Sequence, residues 1–303
     1  MNKRVLAFLA AFGATSIYAL NHTIAKGLMP MYIKPFGFIF LRVVGAFILF
    51  WGLSLFRKSD PIEKKDWPKI MLASLFGASI NMLSFFKGLE LSTPINSAVL
   101  VTITPICTLV LSAILLKEPI TKNKTFGIAL GLVGALGLVV FGNELRSDAP
   151  NIRLGNTLFI VNALSYGAYL VLTRSLVQKY HPFTLLKWLF TFSLIINFPI
   201  TIGDFLDIQW STLPSWSFAT IAFVVVGVTF LTYLFNAFAM TELKASTIGV
   251  FTYVQPVMGI LFAVLAGKDQ FTLTKIVAAN LVIGGVYLAS KRVRMPSEKK
   301  EVS

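Results

Sequence analysis

The sequence predicts an all-α integral membrane protein, with ten transmembrane helices arranged as two inverted five-helix repeats. Three observations predict it. Of the 303 residues, 56% are hydrophobic and 13% charged, with a mean hydropathy of +0.77, whereas an ordinary soluble domain carries about 25% charge. Apolar runs long enough to cross a bilayer, roughly 20 residues each, follow one another along the chain. Similar residues also recur at a nearly constant offset, so that the second half repeats the first.

The first run, 5–26, follows Lys3 and Arg4 as a secretory signal would, but no small-x-small cleavage site leads into a mature domain, so it reads as an uncleaved span. Pro35 opens the second, 36–56. The charged stretch from Arg57 to Lys69 reads as a solvated loop before the third, 69–90. The fourth, 95–116, holds Pro105 and Cys107 and ends at Lys117-Glu118. Gly127, Gly131, Gly134 and Gly137 give the fifth, 124–142, a smooth surface for close helix approach, within the chain or against a second copy. The remaining runs are 154–177, 183–203, 216–240, 246–266 and 273–290. Ten such runs leave too few polar residues to coat a water-soluble core.

The net charge of +14 would suit nucleic acid if the cations shared a soluble face, but they lie in short loops and tails. They act as topology signals, and no nucleic-acid partner is expected. A cytoplasmic N-terminus puts 19 Lys and Arg inside and 7 outside, with Arg42 left within a span, so both termini are expected in the cytoplasm. Short loops without an organelle signal suggest a bacterial cytoplasmic (inner) membrane. Cys107 is the single cysteine, which excludes a disulfide framework and a Cys-rich metal motif. No phosphate-binding loop, no H-E-x-x-H and no G-x-S-x-G is present, so no catalytic residue, metal or cofactor is expected, and the chain does not read as an enzyme.

The repeat is read from an ordered series of matches. Tyr18 and Lys26 align with Tyr166 and Arg174 at an offset of 148, and Pro35-Phe36 with Pro182-Phe183 at 147. At 151, Pro105 meets Pro256, Lys117-Glu118 meet Lys268-Asp269, Lys124 meets Lys275 and Gly134 meets Gly285. The repeats are drawn at 1–146 and 150–292, with 293–303 as a cytoplasmic tail. Five spans per copy is an odd number, which turns the second copy over, as in many secondary transporters.

The stretch Thr104-Pro105-Ile106 through Leu116-Lys117-Glu118-Pro119 to Phe126-Gly127 and Gly134 resembles the drug/metabolite transporter superfamily, specifically its EamA-type ten-helix transporters. The second copy, Gln255-Pro256 through Gly267-Lys268-Asp269 to Gly284-Gly285, departs by carrying Asp for Glu. Arg42 and Lys26 also match the family habit. The resemblance implies that spans 1, 3, 4, 6, 8 and 9 surround a central cavity, and that the cargo is a small metabolite or amphipathic drug, often moved outward.

Polar groups inside a bilayer need partners in the protein or in cavity water. Asn81 and Ser84 share a face of the third span, and Thr232, Tyr233 and Asn236 one of the eighth. Thr104 lies in the fourth, and Thr252 with Gln255 in the ninth. Tyr18, Asn21 and His22 in the first span correspond to Asn162, Tyr166 and Tyr169 in the sixth. These are the candidate cavity residues. The plainer alternative is that the Ser and Thr hydroxyls bond their own helices. His22 is a candidate proton site or a structural histidine. Pro105 and Pro256 are candidate hinges, expected to leave carbonyls free at residues 101 and 252.

The function expected is secondary transport of small amphipathic metabolites, amino acids above all, with export the expected direction. A nucleotide-sugar or sugar-phosphate carrier is the alternative, and would want several cations at the cavity, for which Arg42, Lys87 and Lys187 are available. A membrane-embedded enzyme or scaffold would need a carboxylate pair or a soluble domain. The expected partners are a small-molecule substrate and the lipid bilayer, with the chain a monomer or weak homodimer.

Overall fold

The computed structural model describes residues 2–24, 28, 32–56, 59–92, 97, 100–142, 150–265 and 272–290. Among them every regular element is helical. We number the spans α1 (Lys3–Ile24), α2 (Pro35–Phe56), α3 (Lys64–Leu91), α4 (Thr104–Leu115), α5 (Lys122–Gly142), α6 (Ile152–Leu176), α7 (Pro182–Leu206), α8 (Ser215–Glu242), α9 (Ala245–Phe251 continued by Val254–Leu265) and α10 (Leu273–Ser290). Six of them, α1, α2, α3, α6, α7 and α8, are long and apolar enough to cross a membrane. Large apolar side chains cover the outside: Phe56 is 89% exposed and Leu55 84%. Such a surface suits hydrocarbon, not water.

Two features, four segments in all, recur at matching positions in the two halves. α3 contains a π-helical segment, Leu75–Ile80, and α8 another, Phe223–Leu231. Their last residues are 151 apart, the same offset that aligns Asn81 with Thr232, each the first residue after its π segment. The other two are turns: Thr102–Ile103 precedes α4, and Thr252–Tyr253 divides α9. Pro105 and Pro256 therefore stand in the first turn of a new helix, where a missing N–H costs no internal hydrogen bond. The carbonyl of Thr252, expected to be free, instead accepts from the Gln255 N–H at 3.2 Å.

The packing has the same two-fold pattern. α1 lies on α8 and α3 on α6, α4 lies on α6 and α9 on α1, while α2 pairs with α7 and α5 with α10. Exchanging the halves maps each of these pairs onto another or onto itself. Where α5 meets α10 the backbones touch: a Cβ on Gly127 would sit 2.6 Å from the Gly285 carbonyl oxygen. The glycine face of α5 is thus used within the chain. The main core runs through Phe38, Phe50, Phe159, Tyr169 and Phe190, all fully buried, with Phe50 stacked on Phe190 at 5.5 Å between centroids.

Polar clasps close both ends of the α2–α7 pair. At one end Lys34 bonds Asp207 at 2.6 Å, and Asp204 accepts from the Phe36 N–H at 3.2 Å. At the other, buried Asp66 accepts from Tyr180 Oη at 2.7 Å and Lys179 Nζ at 2.9 Å. Asp60 accepts from the His181 N–H at 2.9 Å, and Lys187 Nζ reaches Ser59 at 2.6 Å. Ser59, Asp60 and Asp66, within the stretch expected as a solvated loop, are therefore bound to the start of α7, while Pro61, Glu63, Lys64 and Lys65 stay exposed. Asp60 takes a free N–H at the positive end of that helix, and Asp66 the side chains just before it.

Candidate functional site

The polar residues that hydropathy cannot account for converge between α1, α2, α3, α6 and α8. Tyr166 of α6 accepts from Asn236 Nδ2 of α8 at 3.3 Å. Its ring lies 5.8 Å from that of Tyr169, which in turn lies 5.6 Å from Tyr233 of α8. Tyr233 donates to the Gly77 carbonyl in the α3 π segment at 2.7 Å. Tyr18 of α1 lies within electrostatic reach of Tyr166 and of Arg42. Tyr18 and Tyr166 are partly buried, while Tyr233 and Asn236 are buried.

Asn81 and Asn162 meet as well, but in a different way. Asn162 Nδ2 donates to the Asn81 carbonyl at 2.8 Å, and Asn81 Nδ2 to the Asn162 carbonyl at 3.3 Å. The pair is a reciprocal bolt between α3 and α6, one turn from Gly77 and Tyr166.

The other expected residues are more dispersed. Thr232 donates to the Gly227 carbonyl of its own helix at 3.1 Å, and Thr108 to the Thr104 carbonyl at 2.8 Å, so these hydroxyls serve their own backbones. Asn21 is buried, and its Oδ1 has no hydrogen-bond partner. Among the described residues Ser84, Thr252 and Gln255 form no side-chain hydrogen bond to the tyrosine cluster. The side chain of His22 lies outside the described ones.

The sequence offers Arg42 only as a family match and as a cation for the sugar-phosphate alternative, yet the structure bonds it to α8 beside the tyrosines. It sits on the second turn of α2, 2% exposed, and its Nε donates to Thr229 Oγ1 of α8 at 2.9 Å. Thr229 itself donates to the Val224 carbonyl five residues back, the spacing of the π segment. The guanidinium carbon lies 5.7 Å from the centre of the Phe86 ring. Its signal in the sequence was a lone cation in an apolar run, Phe38-Ile39-Phe40-Leu41 before it and Val43-Val44 after. The other two cations within reach of a substrate path are engaged elsewhere. Lys87 pairs with Glu90 at 3.0 Å, and Lys187 lies 4.5 Å over the Trp51 ring.

At one end of the bundle a separate ionic knot joins the halves. Glu118, after α4, accepts from Lys124 of α5 at 3.0 Å and from Ser246 of α9 at 2.5 Å. Both charged side chains are under 10% exposed. An apolar groove of about 530 Å³ between α1, α7 and α8, lined by Leu6, Leu9, Phe183, Leu234 and Phe235, shares no residue with the tyrosine cluster.

Comparison with known proteins decides the family. The model of the EamA-like transporter family matches residues 5–140 and again 153–291. The chain belongs to the EamA-like transporter family. Its EamA relatives include the uncharacterized transporter YetK of Bacillus subtilis, 22% identical over 98% of this chain and 90% of YetK. An uncharacterized transporter of Archaeoglobus fulgidus is 26% identical over 95% of this chain and 98% of its own length. A solved structure described as the crystal structure of a protein, 19% identical, covers 94% of this EamA chain and 96% of its own with a TM-score of 0.76. This EamA protein is a multi-pass membrane protein of a small-molecule transporter family, and the double match falls on the two halves that share π segments and turns.

Proposed function

We propose that this protein is a secondary transporter that exports small amphipathic metabolites, amino acids or related compounds, by alternating access. The observation that carries the reading is the meeting of Tyr166, Tyr169, Tyr233 and Asn236 between α6 and α8, with the partly buried Tyr18 on α1, the helix packed against α8. Aromatic faces accept an apolar body while hydroxyl and amide groups orient a polar end. Asn21, Ser84, Thr104, Tyr169, Thr252 and Gln255 complete the wall as the repeats move, while Asn81, Asn162 and Thr232 brace it through backbone carbonyls, and His22 of α1 is the candidate proton site. Residues 1–146 and 150–292 rock as inverted units, with the turns before Pro105 and Pro256 as hinges. Both termini face the cytoplasm from the cytoplasmic (inner) membrane, and the working unit is a monomer or weak homodimer.

A sugar-phosphate carrier is disfavoured because, among the described residues, Lys87 is paired with Glu90 and Lys187 with Ser59 and the Trp51 ring, so that Arg42 alone of the three candidate cations bonds α8 beside the tyrosines, where a phosphate wants several. The test is an untargeted comparison of metabolites released by cells with and without the protein. Enrichment of amino acids or similar compounds outside the expressing cells is expected, and identical release overturns the reading. Sidedness is checked with single cysteines at Ser59, Ser147 and Ser297 in a Cys107→Ser background. Labelling of Ser147 from the cytoplasmic side alone overturns the orientation.

A further inference from the structure

We infer that Arg42 is the anchor for a carboxylate on the transported molecule, which it holds against the second π segment with the apolar body lying along α8 toward Tyr233 and Asn236. The inference rests on the transport reading and deepens it. An ionised side chain within a span is costly, so those that are kept pair with one another or mark a substrate path. Among the described residues no carboxylate pairs with Arg42. Its Nε bond to Thr229 uses one of five N–H donors, and the contact with Phe86 is a face and not an acceptor. The forked guanidinium matches a carboxylate bidentately, which makes it the natural unmet half of such a pair.

The surroundings say what the rest of the molecule is. Thr229 lies in the π segment of α8 and Tyr233 and Asn236 on the α-helical turns that follow it, and seven residues of helix span about 10 Å. That is the length of a small acid with one apolar tail. Asn21, one turn along α1 from Tyr18, adds a buried amide oxygen with no partner, an acceptor suited to an amino group. The class is a monocarboxylate with an apolar body, with or without an α-amino group.

The test uses the full-length protein in detergent, followed by its intrinsic tryptophan melting curve. The probes are 3-phenylpropionate, 3-phenylpropan-1-ol, 3-phenylpropylamine, L-phenylalanine, 4-methylpentanoate and L-leucine. Carboxylates are expected to raise the melting temperature with half-saturation roughly tenfold lower than the matched alcohol and amine, the effect of a charge-assisted bond. Arg42→Gln is expected to abolish that preference, Arg42→Lys to keep part of it, and Thr229→Val, which leaves the charge, to retain it. If Arg42→Gln fails to fold, the wild-type series and Arg42→Lys still decide. Alcohol or amine binding as well as the carboxylates, no carboxylate-dependent shift in the panel, or an unchanged preference in Arg42→Gln overturns the assignment. These failures are separable from failure of the transport reading: efflux of neutral or cationic compounds unaffected by Arg42→Gln removes the anchor and leaves the transporter.

Discussion

The Tyr233 hydroxyl donates to the Gly77 carbonyl across the bundle at 2.7 Å, and with it α8 grips the π segment of α3. The carbonyls on either side are gripped too. Phe76 accepts from Ser165 of α6 at 2.6 Å and Ala78 from Asn197 of α7 at 3.1 Å. Gly77 permits this closeness, since a Cβ there would meet Tyr169 Cδ2 at 2.3 Å. The matching segment of α8 is held differently: its Val224 and Gly227 carbonyls take hydroxyls of their own helix, and Arg42 reaches it through Thr229. One π segment is clamped by the opposite half, while the other is tied to the opposite half's buried cation.

Tyr233→Phe tests the clamp. It keeps the ring against Tyr169 and Phe190 and removes one hydrogen bond, which inside membranes is worth about 1 kcal/mol. The variant is expected to insert normally and to melt slightly earlier in detergent. Its maximal efflux rate should fall more than its apparent affinity, because the clamp holds α3 and does not itself contact the carboxylate end. An unchanged melting curve would mean that the Gly77 carbonyl carries no tension.

The Asn81–Asn162 bolt makes a sharper claim, because each asparagine serves the other's backbone. Asn81→Ala and Asn162→Ala each remove one of the two bonds and leave the other, because alanine keeps the backbone carbonyl that accepts it. Each loss is expected at about 0.5 to 1.5 kcal/mol, with the double variant close to their sum. A large coupling in a double-mutant cycle would show that one bond depends on the other side chain.

Much of this architecture was legible before any coordinates. Apolar runs bounded by charge locate the spans because a bilayer punishes polar residues everywhere along them, and the pairs Pro105/Pro256 and Gly134/Gly285 carry the repeat because turns and close backbone approach restrict residue choice. The π segments were not legible: a single wide turn shifts helical phase by a fraction of a turn, and Leu75-Phe76-Gly77 looks like any apolar helix. The Asn81–Asn162 bolt was missed because the repeat pairs Asn81 with Thr232, whereas its partner comes from the packing of α3 on α6. Arg42 was visible as an oddity, but that no acid among the described residues answers it became clear only from its surroundings.

The Glu118–Lys124–Ser246 knot predicts a marked asymmetry between single and double variants. Glu118→Gln leaves the Lys124 ammonium buried without its counter-charge, and breaking such a pair costs about 3 to 5 kcal/mol. Membrane abundance should drop steeply. Glu118→Gln with Lys124→Met removes the orphaned charge and should restore much of the abundance. Equal loss in both variants would mean that the carboxylate matters for some reason other than pairing.

The clasps at the ends of α2 and α7 set a pH dependence. The hydrogen bond from Lys34 to Asp207 raises that lysine above its ordinary value, and the bond from Lys179 to Asp66 does the same for Lys179. A base whose pKa is raised by folding contributes stability that is complete below its unfolded value and is lost as pH rises through its folded one. Both ammonium groups are exposed, so the contribution is small. The melting advantage of the wild type over a Lys34→Gln/Lys179→Gln variant should be constant between about pH 7 and 9 and close above about pH 10.4. An advantage that grows with pH would contradict the assignment.

Energy coupling follows from where the carboxylates lie. Among the described residues Asp60, Glu63 and Asp66 precede or open α3, Glu90 closes it, Glu118 follows α4, Asp204 and Asp207 end α7, and Glu242 ends α8. None stands at the middle of a span. A carboxylate there costs roughly 2.5 to 3.5 kcal/mol on insertion scales, so proteins that keep one use it as a proton or ion relay. The charge at the proposed cavity is instead the guanidinium of Arg42, an arginine and not a carboxylate relay. An anionic group neutralised by a fixed cation can cross with the rocking repeats without a proton or sodium ion. The expected mode is therefore facilitated diffusion or exchange, driven by the gradient of the substrate itself. Of the two histidines, His181 caps the start of α7 and His22 lies in α1, which makes His22 the histidine to test for coupling. The measurement is uptake into proteoliposomes, with and without an imposed pH gradient, of the compound identified by the efflux comparison. Equilibrative uptake insensitive to the gradient is expected in the wild type and in His22→Gln alike, whereas concentrative uptake that follows the gradient and survives His22→Gln would place the coupling group elsewhere in the chain and end the argument from the acids.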